Sequence, residues 1–163
     1  MLKFITPLIA SLTLVATLAA GPTSAKPKSE GYRNPQHNIY TAAENVGYKV
    51  DNYAPECKKP GLFGFVEHRG KTPSRFVICT NNATTLTQAY TTIRHEGIHV
   101  AQICKGGLIY PKAEDAFIAR AQDEGWNILG YPAKVWGTEA EARVLANEWT
   151  AQEVVQAINT FCF

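Results

Sequence analysis

Between residues 86 and 104 the apolar positions Leu86, Ala89, Ile93, Gly97, Val100 and Cys104 return every three or four residues. That spacing predicts one amphipathic helix with these side chains facing a core. Gly106-Gly107 closes the pattern, and Asn81 or Asn82 offers a short polar side chain to cap its start. Upstream, a short helix is expected over 38–45 and a strand over 46–50. Residues 62–68 and 75–80 are rich in aromatic and β-branched side chains and flank the turn-forming stretch 69–74, so they read as a β-hairpin. Downstream, a helical pattern over 113–125 carries Ala116, Phe117 and Ala119, with Ile128 just beyond. Gly130-Tyr131-Pro132 breaks it, and a last helix is expected from about Thr138 to Ile158 with Ala142, Leu145, Trp149, Val154 and Val155 inward. A short antiparallel sheet or hairpin packed on these helices makes an α+β fold, in a single domain over 38–163. An edge strand of that sheet would border any cleft beside the long helix, where an extended peptide can pair with it.

Composition narrows the classes. A length of 163 residues with 45% hydrophobic content suits one domain with its own core. A net charge of +2 without a basic stripe or a nucleic-acid motif excludes a nucleic-acid partner. Lys3, the apolar run Phe4 to Ala20 and the small residues Thr23-Ser24-Ala25 read as a signal peptide over 1–25, followed by a flexible leader over 26–37. The expected location is therefore secreted or periplasmic, with no stable membrane span after cleavage. An even count of four cysteines fits an oxidising compartment and two disulfides. Cys57 with Cys79 would close the hairpin, and Cys104 with Cys162 would tie the long helix to the C-terminus.

The long helix contains His95-Glu96-Gly97-Ile98-His99, one HExxH. Histidines four apart stand on one face, so both imidazoles can reach a single ion, and the glutamate between them borders it. Zinc takes nitrogen and oxygen ligands and, in catalytic sites, keeps a position open for water. Glu96 is then placed as general base for that water, the chemistry of a metal-assisted hydrolase. Gly97 in mid-helix points to close packing against a neighbouring element.

A catalytic zinc site needs a third protein ligand. The extended HExxHxxGxxH pattern requires glycine at 102 and histidine at 105, where this chain has Gln102 and Lys105. A GTxD pattern fails at Ala140. Two glutamates of the last helix remain. If Thr138 caps that helix, Glu141 completes a capping box, while Glu139 shares the inward face with Ala142 and Ala146. Glu139 is thus the preferred ligand and Glu141 the next. Tyr131, Tyr110 and His68 are candidates to stabilise an oxyanion, with nothing in the sequence to choose among them.

HExxH followed on a later helix by Glu-x-Glu-Ala, Glu139 to Ala142, resembles the gluzincin metallopeptidases, and the size and element order are similar to the short single-domain minigluzincins. The resemblance implies a zincin-like fold, a Zn2+ cofactor held by His95, His99 and Glu139, Glu96 as base, and a peptide or protein substrate. That family often carries an acid four residues after the ligand glutamate to orient the first histidine. Here Arg143 stands there, so another group has to do it. Two further functions stay open: a zinc amidase acting on cell-wall crosslinks, and a disulfide-stapled non-catalytic binding domain.

Overall fold

The computed structural model describes residues 34–70 and 72–163. The expected signal segment and residues 26–33 of the expected leader lie outside them. Residues 34–36 form a turn that buries Gln36 and leads into helix α1 (His37–Val46), so the end of the expected leader is part of the folded unit.

The fold is α+β. Helix α2 (Leu86–Lys105) is packed by α1, by α4 (Trp136–Glu148) and α5 (Ala151–Cys162), and by strand β2 (Gly64–Arg69). Ile93, Gly97, Ile98, Val100 and Ala101 are buried along it, a stripe wide enough for neighbours on several sides. Leu86, expected in the core, is 72% exposed, because it stands at the first position of the helix, before the packed part begins. Gly97 behaves as its sequence position suggests. A Cβ there would lie 2.7 Å from Val154 and 2.8 Å from Ile39, so its missing side chain lets α1 and α5 close on α2.

The sheet is mixed, not purely antiparallel. β2 pairs antiparallel with β3 (Thr72–Ile78), and β1 (Lys49–Asp51) pairs parallel with the far side of β3, giving the order β1-β3-β2. The hairpin is tighter than the sequence implied, since β3 starts at Thr72. Pro73 has no N–H for the ladder, and a register shift at Glu67/His68 accommodates it. β2 is left as an edge strand.

Two helix boundaries and one helix face differ from expectation. Thr85, not an asparagine, caps α2 by accepting from Gln88 N–H. The Asn82 amide instead donates to the carbonyls of Cys57, Lys59 and Leu62, holding the loop before β2. The helix α3 (Glu114–Asp123) turns Phe117, Ile118 and Ala121 inward and leaves Ala116 and Ala119 exposed. The expected last helix is two. Thr150 accepts from Glu153 N–H while the Glu153 carboxylate accepts from Thr150 N–H, a capping box that starts α5 afresh after Trp149.

Both expected disulfides form, Cys57–Cys79 and Cys104–Cys162. The second fastens the end of α2 to the end of α5. Among the described residues no helix is long and apolar enough to cross a membrane.

Candidate metal centre

The i, i+4 spacing on α2 stacks His95 and His99 edge to face, with ring centroids 4.6 Å apart at 87°. Their Nε2 atoms are 3.1 Å from each other. Helix α4 crosses α2 and lays Glu139 over both imidazoles, Oε1 at 3.4 Å from His99 Nε2 and Oε2 at 3.6 Å from His95 Nε2. Glu139 Oε2 is buried without a hydrogen-bond partner.

These distances test whether the donors fit a metal. Tetrahedral ligands at about 2.1 Å from an ion stand about 3.4 Å from one another. The three separations found, 3.1, 3.4 and 3.6 Å, bracket that value. An orphaned buried carboxylate oxygen and two converging imidazole nitrogens are also a donor set that a cation completes. The residues fit.

Electrostatics agree with the geometry. Burial, reinforced by charge on His99, pushes His95 down to about 4, so its ring is neutral and free to coordinate near neutral pH. For His99 burial also acts downward, but Glu139, Glu96 and Gln102 together outweigh it and raise the ring. Burial opposes ionisation of Glu139 too, yet the two imidazoles facing it hold the carboxyl well below the usual range.

Glu96 lies beside the donors, one residue on from His95. It is 5% exposed, and burial pushes its carboxyl up to about 7. A Cβ on Gly64 would sit 2.9 Å from Glu96 Cγ, so it is the bare backbone of β2 that gives this side chain its place.

Glu141 does something other than cap a helix. α4 begins at Trp136, two residues before Thr138, whose hydroxyl donates back to the Val135 carbonyl. Glu141 therefore points away from the metal donors into the core, fully buried, and accepts from Ile109 N–H, Tyr110 N–H and Gln102 Nε2. Gln102 Nε2 also donates to the Thr138 carbonyl. With its amide nitrogen so committed, Gln102 turns Oε1 to His99 Nδ1 at 2.7 Å. The contact selects the tautomer with hydrogen on Nδ1 and leaves Nε2 for coordination.

No motif marks Gln102, although its position three residues after His99 on one helix face is a readable sign. Gln102→Met keeps the side-chain volume and removes this partner. Zinc affinity measured by competition with a chromophoric chelator is expected to drop roughly 10–100-fold with the helical signal retained, and an unchanged affinity would refute the role. Among the described residues no group hydrogen-bonds His95 Nδ1, and the ring meets that of His99 edge to face.

A cleft passes over the site. Its two halves share Leu62, Gly64, His95, Glu96 and Tyr131. One half, about 500 Å³, is the more polar, walled by threonines of α2 with Arg143 and Asn147 of α4. The other is more apolar, with Phe65, Val66, Ile103 and Val135. Of the three oxyanion candidates, Tyr131 lines both halves and His68 the apolar one. Tyr110 packs on Phe117 and Trp149 and lines neither.

An α+β domain with a two-histidine, one-carboxylate cluster beneath an edge strand is the class that fold and site define. The chain belongs to the family described as Domain of unknown function (DUF8637), whose family model matches residues 4–163. No curated protein and no solved structure matches it.

Proposed function

We propose that this protein is a zinc-dependent metallopeptidase of the gluzincin type, working outside the cytoplasm. The observation that carries the reading is the convergence of three donors at 3.1–3.6 Å beside a buried glutamate, at the floor of a cleft bordered by an edge strand. A zinc ion held by His95, His99 and Glu139 would make a water nucleophilic near neutral pH and polarise a carbonyl.

The chain's own groups supply the rest. Glu96 takes the proton of the attacking water as the new C–O bond forms, then delivers it to the amine nitrogen as the C–N bond breaks. The unpaired side of β2 offers N–H and C=O groups to an extended peptide and aligns its backbone over Glu96. The two disulfides support a location where thiols are oxidised.

The polar half of the cleft favours a second substrate for the same site, the hydrophilic crosslinks of a cell wall. Incubating the zinc-loaded protein with an unfolded protein and, separately, with peptidoglycan tells the two apart. Chelator-sensitive cleavage of the unfolded protein is the expected result; cleavage of peptidoglycan alone would transfer the assignment to the amidase, and cleavage of neither would defeat both.

A further inference from the structure

We propose that Arg143, together with Tyr131, forms an anion subsite in the polar half of the cleft that binds a carboxylate of the substrate beside the bond being cut. The inference rests on the peptidase reading and names a feature of the substrate that the metal centre does not specify.

Arg143 follows Glu139 by one turn of α4, so the helix that presents the third metal donor also projects this side chain into the cleft. It is half-buried, and its Nε is buried with no hydrogen-bond partner. Its Nη2 reaches the Tyr131 hydroxyl at 3.5 Å. Among the described residues no carboxylate lies within ion-pairing distance of it, including Glu96 across the same cavity.

A guanidinium kept partly out of water without a counter-ion is costly unless an anion arrives to meet it. Of the neighbouring hydroxyls, that of Thr91 accepts from Arg94 and that of Thr92 donates to the Gln88 carbonyl, and neither carries a charge. Arg143 is left as the cationic group that faces ligand in this half. Its planar fork of donors matches a carboxylate in two parallel hydrogen bonds, and the Tyr131 phenol adds a donor at its edge. His95 and Glu96 line the same cavity, which puts the bound carboxylate next to the reacting carbonyl.

The test uses blocked tripeptides in matched pairs, one pair ending in a free carboxylate or a carboxamide, the other carrying an internal glutamate or glutamine. Binding is measured by calorimetry to wild type, Arg143→Gln and Arg143→Lys, each zinc-loaded and each stripped with chelator. Wild type is expected to prefer at least one carboxylate probe over its amide roughly ten- to hundredfold in both metal states. The pair that shows the preference identifies its source, chain end or side chain. The preference should vanish in Arg143→Gln and persist weakened in Arg143→Lys, which keeps the charge and loses the fork. No carboxylate preference in wild type, or the same preference in Arg143→Gln, overturns the subsite. An Arg143-dependent preference in a protein that never takes up zinc would leave the subsite standing and remove the peptidase reading.

Discussion

Replacing Glu96 by glutamine is expected to leave the metal bound and to lower hydrolysis by a factor on the order of 10²–10⁴. The amide has nearly the same shape, so it keeps its seat against Gly64, where the Glu96 side chain and the Val77 carbonyl leave no room for a Cβ. It cannot accept a proton, and that is the function assigned to the carboxylate. Glu96 is not among the proposed metal donors His95, His99 and Glu139, so zinc content should not change.

The pH dependence follows from the same group. Burial raises the Glu96 carboxyl to about 7, and the base works only when ionised, so the wild-type rate should fall as pH drops through that titration. A divalent cation alongside favours the ionised form and moves the midpoint lower. A Glu96→Gln variant with full zinc and full activity would remove Glu96 from the mechanism.

The second large effect is on stability. Converting Cys104 and Cys162 to serine opens a link across 58 residues, and loop-closure entropy puts the loss at about 4 kcal/mol. The Cys57–Cys79 link spans 22 residues, for which the same relation gives about 3 kcal/mol. Structure sharpens the contrast. Val154 and Ile158 of α5 are fully buried in the principal core, and Val154 would meet a Cβ on Gly97 at 2.7 Å, so freeing the end of α5 loosens the neighbour against which the HExxH helix is packed. Denaturant unfolding of the two serine pairs is therefore expected to rank the C-terminal link as the more stabilising, with zinc affinity falling alongside it. A larger loss from the Cys57–Cys79 pair would contradict this view of how α2 is held.

What was legible in the sequence is what depends on local spacing. HExxH announced itself because four residues make about one turn, and Gly97 announced close packing because glycine in mid-helix asks for a reason. The disulfide partners followed from which elements each pairing would join. The inward face of Glu139 is legible in the spacing, but Glu141 closes no capping box, because α4 starts at Trp136 and Thr138 lies inside it. Glu141 is occupied by Gln102 and by the amides of Ile109 and Tyr110, partners more than thirty residues away that no local pattern reveals. The parallel pairing of β1 with β3 was hidden for the same reason. The break before α5 was readable, since Thr150 and Glu153 spell a capping box, but the continuous apolar periodicity on both sides masked it.

The central claim is that His95, His99 and Glu139 close on a zinc ion. Its most direct test is metal analysis of the purified protein after dialysis against excess zinc, beside the Glu139→Ala variant. The account predicts one zinc bound per chain in the wild type and a marked loss of affinity in the variant with its fold intact. A wild type that retains no stoichiometric zinc, or a variant that binds it as tightly, would contradict it.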